Sequence, residues 1–301
     1  MNRNRLAALL TCYNRKQKTL ASLTALFNQE LPTEVRIDVY LLDDGSTDGT
    51  VMAVSQSYPQ VKILQGNGNL FWNGGMRQAF GEAIKQDYDY YLWLNDDTTL
   101  YRDSISRLLE TSHSLLAQGE QRAIVAGSTC DPQTNALTYG GVVRRSRLRP
   151  LKFDLVEPGE QVKRCDTING NCVLIPREVV QAVGNLDSAF THYIGDWDYG
   201  LRAQQQGCTV WIIPGYVGTC SQNYQPGSTA NSPVPPGERF KKMGQPKGLN
   251  VQSEILYPLG EWKVFAQRHG GLLWPVYWLI PYRRLLWISL MGSPRNEEVN
   301  A

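Results

Sequence analysis

The chain has 301 residues and a formal net charge of +2, from 30 basic and 28 acidic side chains. That length supports one large domain or two small ones, and the near balance of charge argues against a nucleic-acid-binding protein, which would carry a basic footprint. Six cysteines without a CxxC pair read as free thiols in a reducing compartment, not as a disulfide framework or zinc site.

The N-terminus is basic and then apolar, but the apolar run covers only residues 6–10. This is short for a secretory signal and lacks a small-residue cleavage site. A first core strand over residues 6–12 and a cytosolic topology are expected. Residues 15–29 carry Leu20, Leu23, Leu26 and Phe27 at helical spacing. A strand follows over 35–42, then a helix over 48–57 with Asp48 as its N-cap, a short strand over 61–64, and a helix over 74–85. Residues 88–94 form an apolar, aromatic strand, 104–117 a helix, and 123–126 a buried strand. This alternation predicts an α/β fold with a mostly parallel sheet and crossover helices.

The second half is less regular. A strand or hairpin arm is expected over 137–143, a basic, Pro-containing loop over 144–164, a strand over 169–175 and a short helix over 177–183. A helix over 196–206 ends at Gly207, and a strand covers 209–213. Residues 222–250 are rich in Pro, Gly, Ser and Asn and read as a mobile loop or linker. Residues 271–290, GLLWPVYWLIPYRRLLWISL, are too interrupted by Pro275, Pro281 and Arg283–Arg284 to span a membrane comfortably. Two readings stand for them: a membrane-interface segment of mixed aromatics and arginines, or a C-terminal element packed on the core.

Three expected strands end in polar clusters: Thr11–Cys12–Tyr13–Asn14, Asp43–Asp44–Gly45–Ser46 and Asn95–Asp96–Asp97. Ligands of open α/β sheets sit beyond the carboxyl ends of the strands, and carboxylates beside a core call for a cation or hydrogen-bond donors. In LLDDGSTDGT a strand-end carboxylate can accept from a ribose diol or a base N–H; a turn with an N-cap explains Gly45 and Asp48 but not the Asp43–Asp44 pair. In GNGNLFWNGGMRQAF the glycines allow close backbone approach and Arg77 offers a fork for phosphate, although neither a P-loop nor a dinucleotide fingerprint is present. A glycine-rich surface loop is the alternative, against which Trp72 argues, since a loop tryptophan packs on something. In NDDT a carboxylate can share a Mg²⁺ ion with substrate phosphates, or the stretch is a solvated acidic turn. Asp196 and Asp198 flank Trp197 at a helix start, where one can act as general base or both can serve the helix end. His192, four residues upstream, is a lone histidine and reads as structural.

Taken together, DDGSTDGT, NGG-R, NDDT, ING and DWDYGLR resemble, in order and spacing, the family-2 glycosyltransferases of GT-A fold, and within them bacterial rhamnosyltransferase-type enzymes of surface polysaccharide synthesis. The resemblance covers about residues 6–220. It implies a Rossmann-like nucleotide-binding half plus an acceptor half in a catalytic domain over 1–221, and a C-terminal loop and helical extension over 222–301 with a membrane-associated role. It implies that Thr11, Tyr13, Asp43 and Asp44 hold the nucleoside, that Gly74, Gly75 and Arg77 lie near the base or diphosphate, and that Asp96 faces the donor. Asp97 would ligate a divalent metal, Mg²⁺ or Mn²⁺. Asn169 and Gly170, with Trp197 and Asp198, would border the acceptor or sugar, and Asp196 would be the base of an inverting displacement. The partners implied are a nucleoside-diphosphate sugar and a glycan or lipid-linked acceptor, with no nucleic acid, in the cytoplasm or peripherally at the inner face of the cell membrane. Two positions depart from the pattern. Asn95 opens the DxD-like motif, and Cys220 stands where relatives carry a metal-binding histidine, so Cys220 or water would complete the metal site. A non-catalytic sugar-nucleotide-binding protein and a phosphohydrolase are the alternatives. The second requires a DxD nucleophile pair on the first strand, which here ends TCYN.

Overall fold

The structure, a computed structural model, describes residues 4–222, 249–251, 254–256 and 258–291. It divides into two compact units, residues 1–224 and 225–301. Most of the segment expected as a loop over 222–250 lies outside the described residues.

In the first unit the elements run in chain order as β1 (Asn4–Cys12), α1 (Lys16–Phe27), β2 (Val35–Asp43), α2 (Thr50–Ser57), β3 (Lys62–Gln65), α3 (Phe71–Ile84), β4 (Tyr90–Leu94), β5 (Thr99–Leu100) and α4 (Ser104–Ala117). The chain continues through β6 (Ala123–Cys130), β7 (Leu137–Tyr139), β8 (Gly141–Ser146), β9 (Arg149–Leu155), β10 (Lys163–Arg164), β11 (Thr167–Ile168), β12 (Cys172–Pro176), α5 (Arg177–Val183), α6 (Gly195–Gln205) and β13 (Thr209–Thr219). A 10-stranded sheet has the order β10-β13-β6-β12-β4-β1-β2-β3, with β5 and β7 attached at β13 and β6. The β4-β1-β2-β3 half is parallel throughout. β12 then runs antiparallel between β4 and β6, while β13 returns parallel to β6. This is the expected mixed α/β architecture with a mostly parallel centre.

Strand periodicity explains the layers. Leu6, Ala8 and Leu10 of β1 face one core with Leu23 and Leu26 of α1, Val54 of α2 and Leu108 of α4. Ala7 and Leu9 face the other, with Met76, Ala79 and Phe80 of α3, Val179 of α5 and Tyr199 of α6. A sheet covered by helices on both faces needs apolar residues at successive positions, which is why β4 reads YYLWL without a polar break. Chain order reverses at β1, whose neighbours β2 and β4 are reached by helices on opposite faces, so a crevice opens beyond the carboxyl ends of β1 and β4.

Several expectations need adjustment. Residues 144–155 are not loop. β8 and β9 form a hairpin, and with β11 they make a separate three-stranded sheet. Charged side chains on its open face masked the strand pattern, and Pro150 is tolerated because β9 pairs with β8 alone. The strand at 209–213 extends to Thr219 through register shifts after Ile212. Helix α3 begins at Phe71, earlier than expected, with Phe71 itself at φ 53°. The N-cap position of α2 is Gly49, not Asp48; Asp48, one residue earlier, accepts from Thr50 N through Oδ1 and from Lys16 N at the start of α1 through Oδ2.

The second unit holds a two-stranded ladder, β14 (Leu249–Val251) and β15 (Glu254–Leu256), then α7 (Leu259–His269), a 3₁₀ turn (Gly271–Leu273) and α8 (Trp274–Met291). Trp262 stacks on Phe265 and donates its indole N–H to Trp278 O at 3.2 Å. Leu272, Leu273, Val276, Leu279 and Ile280 are exposed. Among the described residues no helix is long and apolar enough to cross a membrane.

Candidate active site

The site is built on adjacent strand ends. Cys12 at the end of β1 is in register with Asp43 at the end of β2, and Leu94 of β4 leads into Asn95, Asp96 and Asp97. Asp43 is buried; its Oδ2 accepts from Ser46 N at 2.9 Å and its Oδ1 from Cys12 Sγ at 3.4 Å. Asp44 organises the glycine-rich loop that follows β3. Its Oδ1 accepts from Gly68 N at 2.8 Å, and its Oδ2 from Leu70 N at 2.9 Å and Phe71 N at 3.0 Å. Those donors are the loop's end and the start of α3, so one carboxylate sets where the helix begins.

The glycines of α3 allow close packing. A side chain at Gly75 would strike Thr11 Oγ1, and one at Gly74 would press on Leu70 at 3.3 Å. Thr11 is accordingly buried, whereas Tyr13, two residues on, is 53% exposed at the mouth of the crevice. Arg77 lies one turn further along α3. Its carbonyl accepts from Asn185 Nδ2, and its Nε is buried with no hydrogen-bond partner among the described residues.

Asp96 and Asp97 share one guanidinium nitrogen. Arg15 Nη1 donates to Asp96 Oδ1 at 3.2 Å and to Asp97 Oδ2 at 2.9 Å. Lys18 Nζ lies 3.7 Å from the same Asp97 oxygen. Thr19 Oγ1 approaches Asp96 Oδ2 at 3.4 Å, and Ser22 Oγ donates to Asn95 O. Burial outweighs Arg15 at Asp96 and pushes its carboxyl up to about 7. Arg15, Lys18 and Thr19 were not singled out in the sequence. A signal was present: Arg15, Lys16 and Lys18 sit at the first turn of α1, where positive charge opposes the helix dipole.

The far wall comes from α3, the 169–171 turn and α6. Trp72 Nε1 donates to Asn95 Oδ1 at 2.7 Å. The six-membered edge of its ring lies against Gly170, where a Cβ would collide with it. Gly170 N donates to Asp196 Oδ2 at 2.9 Å, and Trp197 N donates to Asp196 Oδ1 at 2.8 Å. Burial pushes the Asp196 carboxyl up to about 6 against those two donors. Asn169 borders the turn, with its N–H on Gly140 O. Trp197 packs on Phe153 of β9 with ring centroids 4.9 Å apart.

Asp198 is turned away from this group: it is fully buried and accepts from Arg202 Nε at 2.7 Å, while Arg202 also holds Val183 O and Asn185 O. The start of α6 is fixed by its neighbours. Ile194 has φ 53°, Gly195 lies against Asn73, and Asn73 Nδ2 donates to Asp187 O and Phe190 O.

The donor set bears on a metal. Two carboxylates close enough to share one guanidinium nitrogen fit a hard divalent ion bridged to phosphate, since Mg²⁺ is commonly held by one or two carboxylates plus substrate oxygens. Cys220 Sγ lies 3.4 Å from Asp97 Oδ1, and burial pushes its thiol up to about 12. It stands there as a neutral donor to Asp97. No group of three or more His, Cys, Asp or Glu side chains arranged for a metal occurs among the described residues, so any ion would depend on ligand phosphate for the rest of its shell.

Residues 8–149 match the family described as Glycosyl transferase family 2. An N-acetylglucosaminyl-diphospho-decaprenol L-rhamnosyltransferase of Mycobacterium tuberculosis is 26% identical over 219 residues, covering 66% of this chain and 69% of its own. A mannosyltransferase from Pyrobaculum calidifontis, solved with GDP-Man and Mn²⁺, is 14% identical with a TM-score of 0.53, covering 97% of this chain and 77% of its own. Residues 1–349 of S. aureus TarS, solved with UDP-GlcNAc, are 11% identical with a TM-score of 0.54, covering 96% and 76%. The two solved structures share the fold with this chain.

Proposed function

Because the chain belongs to glycosyl transferase family 2, we propose that its reaction is an inverting displacement with Asp196 as the base. The donor is a nucleoside-diphosphate sugar, and the acceptor hydroxyl belongs to a glycan or lipid-linked saccharide of surface polysaccharide synthesis. The observation that carries this reading is Asp196: a carboxylate fixed by two backbone N–H groups, with its pKa raised toward neutrality by burial. A general base works best with a pKa near the operating pH.

The remaining roles follow from position. Tyr13 and the Asp44-held loop line the nucleoside end, with Thr11 and Asp43 beneath them, and Gly74 and Gly75 let α3 approach the strand ends. Arg77 is the weaker member of this set, because its Nε is buried. Asp97, backed by Asp96, would hold a divalent metal, Mg²⁺ or Mn²⁺. Bound there, the ion supplies Lewis-acid neutralisation of the leaving diphosphate. Arg15 and Lys18 add positive charge at the same place. Asn169, Gly170 and Trp197 form the sugar and acceptor wall, and Asp198 supports α6 through Arg202. The curated relative's name specifies rhamnose transfer to a diphospho-decaprenol saccharide, which supports a lipid-linked acceptor here. We place catalysis in residues 1–221 and a peripheral contact with the inner membrane face in the extension over 222–301. The exposed apolar side chains at 272, 273, 276, 279 and 280 support that contact.

Calorimetry of nucleoside diphosphates with and without Mn²⁺, on the parent and Asp97→Asn, tests the donor end. Metal-enhanced binding that Asp97→Asn abolishes is the expected result; equal affinities in metal would remove Asp97 from the site. Transfer to a polyprenyl-diphosphate saccharide tests the acceptor, and failure with every such lipid alongside transfer to a soluble glycan would overturn that part.

A further inference from the structure

Residues 144–152, RRSRLRPLK, carry five cations and no acid in a chain whose net charge is only +2. They form the outer part of the β8–β9 hairpin. Ser146 pairs with Arg149, so Arg147 and Leu148 are its two-residue tip. Tight two-residue hairpin tips favour Asn, Asp and Gly for their backbone freedom. Neither tip residue here is of that kind, and neither has a positive φ, so turn geometry does not account for an arginine and a leucine at this point. Leu148 is 85% exposed. Lower on the hairpin, cations are partly spoken for: Arg145 is paired with Asp154, and Arg144 lies over the Phe153 ring and donates to Pro150 O. Of the other three, Lys152 is exposed lower on β9, and Arg147 and Arg149 stand at the tip on either side of the exposed Leu148.

The root of this hairpin belongs to the acceptor wall. Phe153 packs on Trp197, the residue after Asp196. β8 also pairs with β11, which leads directly into Asn169 and Gly170. The tip thus projects from the same sheet that frames the candidate base.

We propose that the tip of the β8–β9 hairpin docks on an anionic bilayer, with Arg147 and Arg149 at the headgroups and Leu148 inserted between them. Charge complementarity argues for this occupant: basic residues beside an anionic membrane surface are attracted within a Debye length, and an aliphatic side chain among cations suits the headgroup–acyl boundary. The proposal rests on a lipid-linked acceptor only for its biological purpose. Its test reads membrane contact without any transfer reaction, so the two can fail separately.

All six native cysteines are buried, so Leu148→Cys in the full chain gives one accessible thiol for an environment-sensitive fluorophore. With phosphatidylglycerol vesicles the emission is expected to shift to the blue and to be quenched by spin-labelled lipid, and to revert at high salt. In flotation of the otherwise native chain, Arg147→Glu with Arg149→Glu is expected to lower binding to those vesicles by about thirtyfold or more, at about fivefold per basic residue lost. An unchanged thermal melt would exclude misfolding as the cause. Unshifted emission overturns the proposal. So does a shift seen only with neutral vesicles doped with a polyprenyl diphosphate, which would assign the tip to the acceptor's own diphosphate.

Discussion

Trp72 donates its indole N–H to Asn95 Oδ1 at 2.7 Å, joining the first turn of α3 to the first residue after β4. The position just before the two aspartates is therefore a hydrogen-bond acceptor for the wall of the site, and the carboxylates that follow it meet Arg15, Lys18, Thr19 and Cys220. Trp72→Phe keeps an aromatic ring but removes the donor. It should cost about 1 kcal/mol of unfolding free energy, the ordinary net worth of such a bond, measured by urea denaturation. Turnover should fall more than donor affinity, because the ring lies on the Gly170 side of the crevice.

Gly170 has room for no side chain. A Cβ there would collide with the Trp72 ring and lie 3.5 Å from Asp196 Cβ. Gly170→Ala must displace the indole, or move the turn that gives its N–H to Asp196. The expected outcome is a loss of turnover of roughly tenfold to a hundredfold, in keeping with the sensitivity of rate to small misplacements, with nucleoside-diphosphate affinity little changed. Steady-state kinetics and calorimetry on the same variant separate the two.

Asp44 is a prediction about folding. Three backbone N–H groups at residues 68, 70 and 71 depend on its two oxygens. Asp44→Ala leaves them without their acceptor at a buried carboxylate position, at about 1–3 kcal/mol for each donor not re-satisfied by water. Faster amide exchange over residues 66–72, together with lower denaturant stability, is the expected signature. Loss of nucleotide binding with unchanged exchange would instead mean that Asp44 acts on the ligand directly.

The parallel half of the fold was legible because its signals are local: apolar runs of strand length, helical spacing of leucines in 16–27, and polar clusters at three strand ends. The hairpin at 141–155 was hidden because its open face is charged and its tip lacks the usual turn residues. In the site, residue types pointed to chemistry but not to contacts. Asp43–Asp44 stood out as a pair, yet only the folded loop shows Asp44 occupied by backbone donors. Arg15 and Lys18 lie about 80 residues from the acids they meet; their unfavourable charge at the start of α1 is a local signal, but no local pattern names the partner. Cys220 was marked by its place in the chain, and the fold sets it against Asp97.

Asp196 and Asp198 are two residues apart on α6 and meet different surroundings. The Asp196 oxygens accept from Gly170 N and Trp197 N, and burial pushes its carboxyl up to about 6; Asp198 is sealed against Arg202. If Asp196 takes the acceptor proton, it must be ionised, so kcat/KM should fall with protonation as pH drops below about 6 and level off above it. The stability consequence runs the other way. The native state holds the Asp196 proton more tightly than the unfolded chain, whose carboxyl titrates at about 4, so this residue's contribution to stability decreases as pH rises from about 4 to about 6. Asp196→Asn should lower turnover by about 10²–10⁴, the usual range for a lost general base, leave donor affinity nearly intact, and remove the acid limb near pH 6 from what activity remains. Asp198→Asn should spare that limb and cost stability, since it breaks a buried ion pair and leaves Arg202 without its carboxylate. Turnover, pH profiles and denaturation curves of both variants decide the matter: a nearly fully active Asp196→Asn protein would overturn the assignment, and an inactive but normally stable Asp198→Asn protein would move the base two residues along the helix.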